Sequence, residues 1–449
     1  ADGKLLHCDE SLYHVNLMEK LLVVALVKLT NFIPRGGIWM NTQRPEWNDA
    51  NNALVGNGVS IVTLYYLYRY LSFLEKILED IHHEIILSKE VAEMFLGVDG
   101  IFDGLKHALS AISNERTFVI VKQLGFVGET YRGKIYAHGF TGAKATIGIK
   151  QLRSFVKNAK MILMDSIVAN KREDNLYHAY NLVKFGSNSC QISHLYEMLE
   201  GQVAVLSSGA LNAQESIEVL KALKSSQIYR EDQNSYMLYP NRQLPKFLEK
   251  NIIPEASVMG SSVLRTELEK GLTRFIEKSI FGKYHFNGDF RNGIEIANAI
   301  IETGEYTLEE AREVGELYSE LFDHHSYTGR SGTFYKYEGL GCIYWHMVSK
   351  LVLAVQETHE AAFEISPYSD EARLLSDYFH ETKAGIGVDK TPVQYGAFPT
   401  DAYSHTPGFA GVQQPGMTGQ VKEDILSRFN ELGVSVAEGE IIFNPKLLA

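Results

Sequence analysis

The sequence predicts an all-α protein with one short β segment at its C-terminal end. Apolar residues recur at Ile61, Leu64, Leu67, Leu71, Leu74, Leu78 and Ile81, the three-and-four spacing of a helix with one buried face. Asn212 with Glu215, and Thr307 with Glu310, have the form of a helix start, a polar cap residue followed three positions later by Glu. Polar, Gly-rich connections separate the helical patterns, with no short repeat or low-complexity tract. Such an irregular helix–loop–helix succession fits an α/α toroid and other all-α folds alike.

Taken in order, the apolar run Leu21 to Ile33 is interrupted by Lys28 and is too short to cross a bilayer, so it reads as a buried helix. Arg44 to Gly56 is a polar, Trp-bearing loop leading into the helix that begins after Ser60. Gly125 to Gly148, with glycines at 125, 128, 133, 139, 142 and 148, predicts a loop or short hairpin over a cleft. Further helices are expected over Glu309–Leu321 and Ile343–Gln356. Gly385 to Gly419 is long, irregular and dense in Gly, Pro, Gln, Thr and His, and loops of that length in compact domains are functional or disordered; its aromatic residues argue for function. Gly433 to Pro445 predicts two short strands around the turn Glu438-Gly439. The expected division is therefore residues 1–432 as a helical catalytic domain and 433–449 as the start of a C-terminal β segment.

The chain of 449 residues has 45% hydrophobic and 22% charged residues, as an ordinary globular protein does. Its formal charge of −12 and the lack of a basic block exclude a nucleic-acid partner, because such proteins neutralise phosphates with clustered Lys and Arg. Cys8, Cys190 and Cys342 have no metal-ligand spacing and read as buried free thiols. The adjacent pairs His82-His83 and His324-His325 do not face a common point, so neither a metal nor a cofactor is expected. A soluble protein of the cytoplasm or periplasm, without a membrane partner, is the expectation.

The chemistry concentrates in Arg44-Pro45-Glu46-Trp47-Asn48-Asp49-Ala50-Asn51-Asn52. Trp47 offers an apolar ring face to the C–H side of a pyranose, and the amides divide its hydroxyls among donors and acceptors. A carboxyl beside an indole is desolvated enough to hold a proton near neutral pH, as a general acid must. The alternative is an Asn-rich turn that caps the next helix.

Trp-Asn-Asp followed by a small residue and Asn, in a loop entering a long helix, resembles the general-acid loop of the cellobiose and chitobiose phosphorylases. The resemblance implies an (α/α)6 toroid of the six-hairpin glycosidase type and an inverting mechanism on glycosidic bonds. It implies Asp49 as the proton donor to the glycosidic oxygen and Trp47 as the ring against the sugar. Glu46 stands where those enzymes usually carry Asp, and Ala50-Asn51 replaces Gly-Met. In those enzymes the acid loop lies near the middle of the helical domain, so the resemblance further implies a fragment of a longer chain, incomplete at the N-terminus of the toroid.

An acid needs an opposing group. For hydrolysis the candidate base is Glu338, in Tyr335-Lys336-Tyr337-Glu338-Gly339, with Glu200 and Asp401 behind it; a helix-terminal Glu favoured by the macrodipole is the alternative. For phosphorolysis, His405, Thr406, Gln414, Thr418 and glycine amides can cup an oxyanion, and they can equally bind sugar hydroxyls or tie a loop together. Arg44, Asn48, Asn52 and Tyr337 complete the candidate substrate contacts. Arg172–Asn181 and Tyr229–Tyr236 mix amides, Arg and aromatics and are further subsite candidates, with surface networks as the alternative. The sequence thus predicts a carbohydrate-active enzyme acting on an oligosaccharide. Hydrolysis is preferred, because the Asn-Gly-Gly stretch ahead of a His, associated with phosphate binding in the phosphorylases, is missing. A phosphorylase using inorganic phosphate and a non-catalytic carbohydrate-binding helical protein are the alternatives.

Overall fold

The structure, a computed structural model, describes residues 7–8, 11–41, 54, 56–106, 112–241, 246–323, 343–386, 390, 405–406 and 418–447; at 7–8, 405–406 and 418–421 it describes the backbone alone. Two compact units result, one of Ala1–Thr42, Gly56–Asn241 and Gly341–Ala449, the other of Gln43–Val55 and Arg242–Leu340.

In the first unit the helix Leu17–Leu29 opens at Asn16, whose side-chain oxygen accepts from the Glu19 N–H, and buries Leu22, Ala25, Leu26 and Leu29. Full burial of each such leucine stabilises by about 1.5–3 kcal/mol. The chain then turns through strands Phe32–Ile33 and Gly37–Trp39. The turn needs glycine: Gly37 has φ 121°, and a Cβ there would lie 2.8 Å from the Ser60 carbonyl oxygen. Gly58–Ser60 pairs with Gly37–Trp39 on one side and with Tyr180–Phe185 on the other, and Cys190–His194 completes a five-stranded antiparallel sheet. Ile33, Val59, Val183 and Cys190 form its buried cluster.

Ser60 ends a strand and caps the helix Ile61–Glu79, accepting from the Thr63 N–H. The expected stripe from Ile61 to Leu78 is buried, and Tyr65 joins it, with its hydroxyl donating to the His178 carbonyl. This helix packs on Ile149–Ala169 and Leu199–Ser207. Trp345–Ile365 in turn packs on Leu199–Ser207, Ala213–Ser225, Asp370–Ala384 and Thr418–Glu431. Both expected capping boxes form, Asn212 with Glu215 and Thr307 with Glu310. The C-terminal strands Val434–Ala437 and Glu440–Phe443 pair across Glu438 and Gly439, both at positive φ, as a two-residue hairpin turn requires.

The second unit has its own core of Ile253, Phe275, Ile276, Phe286, Ile296, Ile300, Val314, Tyr318 and Phe322. Its helices Gly293–Glu302 and Leu308–Phe322 cross at two glycines. A Cβ on Gly293 would lie 2.2 Å from the Gly315 carbonyl oxygen, and one on Gly315 would lie 2.5 Å from that of Gly293. Glu267, fully buried, is neutralised by a two-point ion pair with Arg274 and a bond from the Tyr306 hydroxyl.

Two expectations are corrected. The fold is mixed α/β and not the all-α (α/α)6 toroid, since the five-stranded sheet and several two-stranded sheets are built into it. These strands are two to six residues long, too short to show a period of two in sequence, and the central pairing joins Gly58–Ser60 to residues around 181. The Gly125–Gly148 loop is also overturned: the helix Asn114–His138 runs through Gly125, Gly128 and Gly133 and ends at Gly139. Glycine in a helix costs about 1 kcal/mol relative to alanine, and Gly128 has a reason to be there: a Cβ would lie 2.8 Å from the Thr30 hydroxyl oxygen.

Candidate active site

Arg44, Trp47, Asn48, Asp49, Asn52, Tyr337, Glu338, Asp401 and Gln414 lie outside the described residues. His405 and Thr406 form a short strand antiparallel to Ile343–Tyr344, with His405 opposite Tyr344 and Thr406 opposite Ile343. Thr418 opens the helix Thr418–Glu431. The structure therefore brings the His405 backbone to the start of the Trp345 helix.

That start carries a polar constellation. Ile343 and Trp345 are fully buried and anchor it. Between them and the next turn, the His346 ring lies with Nδ1 3.3 Å from the Tyr344 hydroxyl and Nε2 3.1 Å from Glu423 Oε1. A carboxylate opposite Nε2 makes that nitrogen the donor, and the Tyr344 hydroxyl is the partner of Nδ1. Glu423 is itself buried, and its second oxygen has no hydrogen-bond partner among the described residues. The Lys390 ammonium sits 4.5 Å over the Trp345 ring and 3.3 Å from Gln233 Oε1; burial and then Arg230 lower it to about 8.

Tyr66 marks a second group. Its phenol is pushed up to about 12 by desolvation and then by Glu200 and Glu357, with Glu423 contributing least and Arg69 opposing. Arg69 clamps Glu357 at two points, 2.8 and 2.9 Å, and donates to the Ser207 carbonyl. Tyr180 donates to Glu200 at 2.9 Å. Tyr66 thus lies among the carboxylates of Glu200, Glu357 and Glu423, from three other helices, and the Arg69 guanidinium of its own helix, the mixture that divides sugar hydroxyls among donors and acceptors. Glu200, a runner-up base in the sequence, belongs to this group.

The other two sequence clusters are internal wiring. Arg172 pairs with Asp174 and Glu197, and the Asp174 carboxylate accepts the Leu176 N–H across a turn at Asn175, which has φ 65°. Asn181 is buried and binds the Gly36 carbonyl, Asn170 and His194. His178 stacks on His194 with centroids 4.2 Å apart, and burial, His194 and Arg172 lower it to about 4. Tyr229–Arg230 and Ser235–Tyr236 form a hairpin in which Tyr229 donates to Asn234 and Arg230 clamps Asp232. Cys190 is a buried free thiol, raised by burial to about 11.

Sequence reasoning placed His346 in the helix that follows the Glu338 motif but gave it no role. Glu423, Tyr66 and Arg69 were not singled out, because they sit on amphipathic helices whose charges look like solvated faces.

Residues 244–325 match a family model, GH149 phosphorylase insertion domain 2. The match falls in the second unit, on the helices and hairpin that build its separate core. It supports a glycoside phosphorylase-like family and, with it, a carbohydrate-active enzyme. No curated protein matches the chain. Among the described residues, no helix is long and apolar enough to cross a membrane.

Proposed function

We propose that the chain is a glycoside phosphorylase, cleaving a glycosidic bond of an oligosaccharide with inversion and transferring the glycosyl group to inorganic phosphate. The match to a phosphorylase insertion domain is the observation that supports this reading, while the sequence alone favours hydrolysis. Asp49 donates its proton to the glycosidic oxygen as the bond from C1 to that oxygen breaks. A phosphate oxygen bonds to C1 from the opposite face, giving a sugar 1-phosphate of inverted configuration. Trp47 stacks on the sugar, and Arg44, Asn48, Asn52 and Tyr337 hold its hydroxyls. His405, Thr406, Gln414 and Thr418 supply the anion contacts.

His346 lies beside them in this reading, with both ring nitrogens already bonded, and acts on them only by holding Tyr344 in place. It stands in the first turn of a 21-residue helix, beside the strand that carries His405, and a helix N-terminus favours an anion. Glu423 and Tyr344 take both nitrogens of its ring, so the imidazole fixes the start of the helix before phosphate arrives and does not itself touch the anion.

A second reading is inverting hydrolysis, in which Glu338 activates water across roughly 6.5–9.5 Å from Asp49. It is favoured by the Tyr-Glu-Gly setting of Glu338 and the missing Asn-Gly-Gly stretch. A purely carbohydrate-binding role does not need a carboxyl beside Trp47. A glycan panel incubated with and without phosphate separates the readings. Release of sugar 1-phosphate only when phosphate is present is the expected result; free sugar at an equal rate without phosphate would replace phosphorolysis by hydrolysis.

A further inference from the structure

The helix Thr418–Glu431 is amphipathic in the reverse sense. From Lys422 to Leu432, the residues it buries are Glu423, Ser427 and Glu431, spaced one turn apart on a single face. Ile425, Leu426, Phe429 and Leu432 are exposed. A helix packed on a core normally turns its apolar stripe inward, as Trp345–Ile365 does with Val348, Leu351, Val352 and Val355.

What seats this helix is polar. Glu423 Oε1 meets His346 Nε2 at 3.1 Å, Gln356 Nε2 donates to the Ser427 carbonyl at 3.1 Å, and the Lys383 ammonium donates to Glu431 at 2.5 Å. These partners lie on Trp345–Ile365 and Asp370–Ala384. The fit is incomplete: Glu423 Oε2, Ser427 Oγ and Gln356 Oε1 are buried without a hydrogen-bond partner among the described residues. Buried polar groups contribute little net stability when bonded and cost stability when left unbonded. This seat is therefore weak beside an apolar one, and segments with few buried apolar contacts open before the core does. At the far end Gly433, with φ 65°, joins the helix to the C-terminal hairpin, past which Leu447 is buried and Lys446 pairs with Glu360. The chain is anchored again beyond a glycine that can serve as a hinge.

We propose that the helix Thr418–Glu431 is a lid that swings off Trp345–Ile365 and Asp370–Ala384 as a unit and is held closed by inorganic phosphate. The swing rests on the polar seat. The hold rests on the phosphorylase reading, in which Thr418, the first residue of this helix, touches phosphate. Opening parts Glu423 from His346 and withdraws Thr418 from the anion, so it releases product; closing restores both contacts. A ligand bound only by the closed form lowers the open population by mass action.

Amide hydrogen exchange of the whole chain, with and without inorganic phosphate, tests this. Amides of residues 423–430 should exchange about 100-fold or more faster than those in the middle of Trp345–Ile365. Phosphate at about 100 times its Kd should slow them about 100-fold and leave Trp345–Ile365 unchanged. Lys383→Met strips Glu431 of its ammonium and should speed opening about tenfold, whereas Phe429→Ala, on the outer face, should leave it unchanged. Exchange as slow as that of Trp345–Ile365, or equal acceleration by the two variants, overturns the lid. Should Lys383→Met fail to fold, the wild-type rates decide. If a sugar 1-phosphate forms and phosphate protects nothing, the hold is wrong while the phosphorylase reading stands. If no sugar 1-phosphate forms and phosphate protects nothing, that reading falls and the hold with it, and the exchange rates without phosphate decide the swing.

Discussion

His346 is held from two sides, by Tyr344 on one ring nitrogen and Glu423 on the other, and that double hold gives Glu423 a positioning role at the helix start beside the proposed phosphate contacts. Glu423→Gln exchanges a charge-assisted bond for a neutral one. A bond to a charged group is worth about 1.5–3 kcal/mol, so the KM for phosphate should rise about 10- to 100-fold while the KM for the glycoside stays near its wild-type value. Equal effects on both constants would make Glu423 merely structural. Asp49→Asn should lower kcat by about 10²–10⁴, the usual worth of general-acid assistance, while leaving ligand binding nearly intact. Retention of more than about a tenth of the rate would remove Asp49 from that role.

His178 carries a pH dependence of stability. Its folded value of about 4 lies below the ordinary 6.5, because burial, His194 and Arg172 disfavour the imidazolium. The unfolded chain takes up the proton first, so this contribution is full above about pH 6.5 and is lost as the pH falls toward about 4. Urea midpoints measured across that window should fall in the wild type and flatten in His178→Asn, and parallel slopes would count against the assignment. Of these residues, only Asp49 is given a role from sequence, through the Trp47-Asn48-Asp49 resemblance, and it lies outside the described residues. His178 stood in a recognised cluster, but its stacking on His194 depends on strand pairing that no local pattern announces.

Helices are the elements that the sequence states most clearly. The stripe from Ile61 to Leu78 and the capping boxes at Asn212 and Thr307 are local signals, and each appears as expected. The sheet is the reverse case: Gly58–Ser60 gains its partners from residues 37–39 and 180–182, and neither neighbour can be inferred from a three-residue window. Glycines misled for a similar reason, since Gly128 makes room for the Thr30 side chain and not for a turn. The Gly293–Gly315 crossing allows a sharp prediction. Gly315→Ala places a methyl 2.5 Å from the Gly293 carbonyl oxygen, an overpacking that costs about 1–3 kcal/mol. Hydrogen exchange should show accelerated opening of the helices Gly293–Glu302 and Leu308–Phe322, with the Ile61–Glu79 helix unchanged. Unaltered protection in all three helices would show that the crossing yields without cost.

At the scale of the whole molecule, each unit has its own core, and the phosphorylase insertion-domain match falls in one of them. The other carries the described polar groups at Tyr66 and His346. Sequence reasoning reached the carbohydrate-active class through one loop and favoured water over phosphate because Glu338 offers a base and the Asn-Gly-Gly stretch is missing; the insertion-domain match supports a phosphorylase-type carbohydrate-active enzyme. The most direct test is a ³¹P NMR time course of the enzyme with an oligosaccharide substrate and inorganic phosphate. Phosphorolysis predicts that the phosphate resonance declines as a sugar 1-phosphate resonance of inverted configuration grows in step with bond cleavage, and that neither changes with Asp49→Asn. Cleavage that releases free sugar while the phosphate resonance stays constant would contradict it.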